Sequence, residues 1–134
     1  MPNFNELIPM TSQTIQKRTG LNRIIYTFAN SYRGIRWMIQ NEAAFQQELL
    51  LFLPLTAVAI WLPVSVLLKA LLICSLLFIL FAEMANTAIE AAIDRIGTDY
   101  HPLSGLAKDI GSACVLVSFM IATIVWSAVF LSID

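Results

Sequence analysis

Charges interrupt this chain at long intervals, and the gaps between them are its first structural signal. The 20 residues from Leu49 to Leu68 and the 24 from Ile110 to Ile133 carry no formal charge, and a helix crossing a bilayer needs about 20. Each gap predicts a span. Between them, Lys69 precedes the apolar stretch Ala70 to Ala82, after which Glu83, Glu90 and Asp94 interrupt an Ala-rich pattern that continues to Ile96. That stretch is long enough to cross only if the carboxylates belong to the helix. The pattern therefore predicts spans over about 43–62, 64–96 and 107–132, with Pro63 in the first turn and a kink at Pro54.

Ahead of the spans, Leu21, Ile24, Ile25, Phe28 and Tyr32 recur at helical spacing, with Arg33 and Arg36 on neighbouring turns. This predicts an amphipathic helix over about 18–40, lying in the membrane interface. Residues 1–16, with Pro2 and Pro9, have no period and read as a mobile tail; an apolar core with a small-residue cleavage site, the mark of a signal peptide, is absent. Residues 1–41 hold Lys17, Arg18, Arg23, Arg33 and Arg36 against the single acid Glu6. The positive-inside bias then puts the N-terminus and the Arg95 to Lys108 connection in the cytoplasm and the C-terminal tail on the far side.

Composition agrees with a lipid solvent. Of 134 residues, 58% are hydrophobic and 13% charged, and the mean hydropathy is +0.75. Soluble domains carry about 25% charged residues. A net charge of −1 without a dominant basic patch excludes a nucleic-acid module. Cys74 and Cys114 sit in apolar runs and His101 is the only histidine, so neither a disulfide framework nor a zinc site is expected.

The candidate chemistry lies in the second span. On a wheel of ~100° per residue, Glu83, Asn86, Glu90 and Asp94 share a stripe about 80° wide. Each ionisable group inside a bilayer costs on the order of 2.5–3.5 kcal/mol, so such a stripe faces protein or water. Glu83 and Glu90 are two turns apart, roughly 10 Å along the axis, too far to grip one ion together. By spacing, Glu90 and Asp94 suit a Mg²⁺ bridged to nucleotide phosphates, and the deeper Glu83 suits a general base beside a lipid hydroxyl. Glu42 and Glu48 stand ready to complete a metal site and hold a lipid head group, and Arg23 and Lys108 are cations for phosphate oxygens. Neither Gly-x-x-x-x-Gly-Lys-Ser/Thr nor Gly-x-Gly-x-x-Gly occurs, so no soluble nucleotide fold is indicated.

The run from Glu83 through Asn86 and Glu90 to Asp94, with Asn41-Glu42-Ala-Ala-Phe45 and Leu106-Ala-Lys108-Asp109-Ile-Gly-Ser112, resembles the small prokaryotic diacylglycerol kinase family. The resemblance covers about residues 19–132, and the Gly97 to Gly105 connection is closer to the Gram-negative enzymes than to the undecaprenol kinases of Gram-positive bacteria. It implies an all-α membrane protein, with three transmembrane helices and an N-terminal amphipathic surface helix, assembled as a homotrimer with shared active sites. It also implies a multi-pass protein of the bacterial inner membrane, with a cytoplasmic active site and a periplasmic C-terminus. The implied reaction moves the γ-phosphoryl group of MgATP to diacylglycerol, giving phosphatidic acid.

Residue by residue, the resemblance makes Glu83 the general base and Glu42 and Glu90 the divalent-metal ligands and ATP contacts. Arg23, Asn30, Asp99, Tyr100, His101, Lys108 and Asp109 match nucleotide-contact positions, although the Gram-negative pattern has an aromatic residue where Asn30 stands. Arg23, Ser31, Arg36, Glu48, Glu83 and Ser112 match positions around the lipid substrate. Asn86 and Asp94 become supporting residues, whereas spacing alone admits Asp94 as a metal ligand. The alternatives are an undecaprenol kinase and, further off, a non-enzymatic membrane protein such as a channel; the acids stop at Glu83 and do not line a continuous pore.

Overall fold

Among the described residues four helices form, close to where the apolar pattern places them. The computed structural model describes residues 20–97 and 99–133, and the expected tail over residues 1–16 lies outside them. The helices are α1 (Leu21–Asn41), α2 (Ala43–Trp61), α3 (Val66–Ile96) and α4 (Pro102–Leu131). The last three are each long and apolar enough to cross a membrane.

The described residues fall into two compact units, divided between 35 and 36. In the first, Gly20 precedes α1 with a φ of 71°, a left-handed conformation that glycine adopts without a Cβ penalty. Ile24, Ile25, Phe28 and Tyr32 are exposed along this part of the helix.

In the second unit, the breaks between helices have local causes. Glu42 adopts an extended backbone (φ −102°, ψ 109°) that separates α1 from α2, and its side chain makes no capping hydrogen bond. Pro54 sits inside α2, where the missing N–H leaves the Leu50 carbonyl without its usual donor. Ser65 caps α3 by accepting from Leu68 N at 3.4 Å, and Lys69 Nζ donates to the C-terminal Ile60 carbonyl of α2 at 2.6 Å. The final helix begins at Pro102, five residues before the expected 107. His101 Nδ1 accepts from Leu103 N at 3.2 Å and Pro102 opens the first turn, so the helix starts as soon as its exposed donors are met. Lys108 and Asp109 consequently stand on a helix, and only residues 97–101 connect α3 to α4.

Packing centres on α3, which meets α4 along its length and α2 less extensively. Two apolar clusters hold this arrangement. Met38, Phe45 and Leu80 pack with Trp37, Leu49, Phe52 and Met84 beside the polar stripe. Toward the other end, Ala59, Leu72 and Val129 pack with Val125 and Trp126. Because α2 and α4 share no comparable contact among the described residues, a groove remains between them over α3. Lipid tails are as apolar as leucine, so these clusters stabilise through close packing rather than transfer from water.

Leu72 is fully buried (0% exposed) in the second cluster. Leu72→Ala should cost about 1–3 kcal/mol, the packing share of the penalty seen in soluble cores. Unfolding in denaturing detergent measures it, and an unchanged midpoint would show that this cluster does not hold α2 and α4 to α3.

Candidate active site

The polar stripe of α3 is buried at its deep end and opens toward its C-terminus. Glu83 is 7% exposed and Thr87 is buried beside it, Asn86 and Glu90 are half-buried, and Asp94 is exposed. Neighbouring apolar residues explain the gradient: Leu80 and Met84 belong to the Met38 and Phe45 cluster, which seals the helix on either side of Glu83. Deeper placement would leave the carboxylate in hydrocarbon.

Four glutamates converge on this helix. Glu83 lies within electrostatic reach of Glu42, at the α1–α2 break, and of Glu90, while Glu48 on α2 is within reach of Glu83. Like charges so gathered repel, and the repulsion is relieved by a cation, a proton or a ligand with donors. Glu48 Oε2 and Asn86 Oδ1 are buried without a hydrogen-bond partner. The other end of the Asn86 amide is engaged, since Nδ2 donates to Glu90 Oε1 at 3.1 Å.

One turn beyond Glu90, Lys108 Nζ of α4 pairs with Asp94 Oδ1 at 2.6 Å. Half-exposed pairs of this kind contribute little stability. The pairing matters more for place: it fixes an ammonium group beside the open end of the stripe, within electrostatic reach of Glu90.

The groove between α2 and α4 forms a cavity of about 440 Å³ that Glu48, Thr123 and Ser127 line beside apolar residues such as Phe52, Leu76, Leu80 and Phe119. A carboxylate thus stands at the edge of an apolar channel running over α3. Trp126 Nε1 is buried nearby without a partner.

Glu42, Glu48, Glu83, Asn86, Glu90, Asp94 and Lys108 therefore come together. Asp109 and Ser112 are exposed on α4, and Arg36 is exposed near the end of α1. Asp99, Tyr100 and His101 are exposed in the α3–α4 connection, where a Cβ on Gly105 would meet the Tyr100 ring at 3.7 Å. Arg23, Asn30 and Ser31 belong to the first unit, and there Arg33 donates to Asn30 Oδ1. Two features had no sequence signal: the channel that Glu48 lines, and the contact of Gly111 with Asn86.

Known proteins resemble this chain in sequence along most of its length. The sequence profile described as prokaryotic diacylglycerol kinase matches residues 29–130. A protein of Escherichia coli K12 named diacylglycerol kinase is 46% identical over 108 residues, which cover 81% of this chain and 88% of that protein. The diacylglycerol kinase of Pseudomonas aeruginosa is 39% identical over 122 residues, covering 91% of this chain and 99% of its own length. That of Helicobacter pylori 26695 is 32% identical over 117 residues, covering 87% and 91%. Similarity that runs from the first helix through the carboxylate-bearing α3 to the end of α4 decides the ancestry: the chain belongs to the prokaryotic diacylglycerol kinase family.

Proposed function

We propose that this chain is an ATP-dependent lipid kinase that transfers the γ-phosphoryl group of MgATP to diacylglycerol, giving phosphatidic acid. The observation that carries the reading is the gathering of Glu42, Glu48, Glu83 and Glu90 around a membrane helix, with Glu48 also lining an apolar channel. An acylated glycerol needs such a pairing, with hydrocarbon along its tails and polar groups where its free hydroxyl lies. The names of the relatives point to the same substrate.

In this mechanism Glu83 accepts the proton of the lipid hydroxyl as its oxygen bonds to the γ-phosphorus and the bond to ADP breaks. Phosphoryl transfer asks little covalent chemistry of the protein beyond placing the hydroxyl and neutralising phosphate charge. Lys108, within electrostatic reach of Glu90, is a cation for that charge, and Asp94 supports it through their ion pair. Family resemblance adds Arg23, Asn30, Asp99, Tyr100, His101 and Asp109 as nucleotide contacts, and Arg23, Ser31, Arg36, Glu48 and Ser112 as contacts of the lipid.

Among the described residues no three His, Cys, Asp or Glu side chains form a metal cage. Mg²⁺ in nucleotide sites takes only one or two carboxylates and completes its shell with phosphates and water. The hard oxygen donors of Glu42 and Glu90 fit that demand. When bound, the ion supplies charge neutralisation on the transferring phosphoryl group.

We further read the protein as a cytoplasmic-facing homotrimer of the bacterial inner membrane with shared sites. Family resemblance supports this reading.

The test of function is ATP-dependent phosphorylation by purified protein offered diacylglycerol and undecaprenol side by side, with diacylglycerol strongly preferred. Glu83→Gln should lower turnover by at least about 100-fold with nucleotide affinity nearly unchanged. Near-normal turnover would sink the base assignment, and preference for undecaprenol would sink the substrate.

Glu42→Gln and Glu90→Gln should each raise the Mg²⁺ concentration needed for half-maximal activity, because each removes a carboxylate from one shared ion. An unchanged titration removes that residue from the ligand set. For the assembly, co-assembling inactive Glu83→Gln with inactive Glu42→Gln subunits should restore part of the activity. Cross-linked mixed oligomers without recovery would place all the catalytic carboxylates in one chain.

A further inference from the structure

Gly111 is buried on α4 with Asn86 of α3 against it. A Cβ built on Gly111 would overlap Asn86 Oδ1 and stand 3.4 Å from its Cγ and 3.7 Å from its Cα. No other described glycine meets such a neighbour: Gly20, Gly34 and Gly97 face open space, and Gly105 touches only the Tyr100 ring at ordinary distance. The backbone does not require glycine at 111, since positive φ among the described glycines occurs only at Gly20. Within a helix, glycine is also a poorer former than alanine. What its missing side chain provides is room for one amide.

That amide has a task. Asn86 Nδ2 donates to Glu90 Oε1 at 3.1 Å, while Oδ1, buried and unpartnered, occupies the space over Gly111. Filling the space moves the amide, and moving the amide releases Glu90. We propose that Gly111 is a positioning residue, whose open Cα face seats the Asn86 amide so that it holds the Glu90 carboxylate in place for the divalent cation. This rests on the reading of Glu90 as a metal ligand.

A merely structural role for Gly111 has a different signature. The atom that a new Cβ displaces is the tip of a side chain, whereas the Asn86 Cα already stands at ordinary contact distance, so α3 and α4 need not separate. Alanine at this position should leave the bundle intact and disturb the carboxylate.

The experiment measures binding of Mn²⁺, standing in for Mg²⁺, to the purified full-length protein with a non-hydrolysable ATP analogue. Loss of the free-ion electron paramagnetic resonance signal reads binding, beside the thermal midpoint of the same sample. Gly111→Ala is expected to weaken Mn²⁺ binding about 10-fold, as loss of a group that orients a metal ligand does, with the midpoint unchanged or raised. Asn86→Ala should weaken it similarly, and the double variant should be no worse than Asn86→Ala alone. Unchanged Mn²⁺ binding in Gly111→Ala, with Glu90→Gln impaired, overturns the positioning role alone. If Glu90→Gln itself binds Mn²⁺ normally, the metal reading and this inference fall together. Should Gly111→Ala not fold, the Asn86→Ala background removes the overlap and should rescue it; a double variant that also fails to fold would show that Gly111 serves helix packing instead.

Discussion

Carboxylates on a helix surrounded by hydrocarbon impose the constraint on which the rest of this structure depends. Each ionisable group at the centre of a bilayer costs on the order of 2.5–3.5 kcal/mol, and more when it cannot reach water or a partner. With Glu83, Glu90 and Asp94 on one face, α3 is not stable as an isolated span. It becomes the centre of the packing, flanked by α2 and α4, with Glu83 buried and Asp94 exposed. The apolar clusters sit where that constraint requires them: one seals the sides of Glu83, and the other joins the helices where α3 carries no acid.

Placing one helix between two others has a second consequence. Helices that both pack on α3 with little contact between them leave a groove, and in a membrane such a groove is filled by something apolar. Glu48 reaches this groove because it lies on α2, one turn beyond Phe45, which anchors α2 to Leu80 of α3. A carboxylate and an apolar channel are thus adjacent for reasons of packing.

The electrostatics grade along α3 in step with the exposure. At the buried end, negative groups face each other with little to offset them, and at the open end Lys108 has a carboxylate partner in Asp94. Anionic phosphates enter most cheaply where a cation waits, and a hydroxyl is best deprotonated where water is excluded. Between these ends stands Asn86, whose amide is a donor to Glu90 and whose carbonyl oxygen is unpartnered.

Helix positions and the polar stripe were legible in the sequence because they follow from local periodicity. A charge-free run of bilayer length can do little but span, and residues 83, 86, 90 and 94 share a face in any α-helix. The start of α4 was legible only in part: apolarity marks the membrane-embedded stretch, whereas His101 and Pro102 set where the helix begins, five residues earlier. The family, too, was readable from the motifs around Glu42, Glu83 and Lys108. Tertiary structure alone decided which of these groups meet. Periodicity fixes the direction of a side chain on its own helix and says nothing of the partner opposite. The convergence of Glu42 and Glu48 on Glu83, the Asp94–Lys108 pair, the groove beside Glu48 and the seating of Asn86 on Gly111 all depend on how helices dock. Docking is set by the fit of side chains distant in sequence, such as Met38, Phe45 and Leu80, and no local pattern encodes that fit.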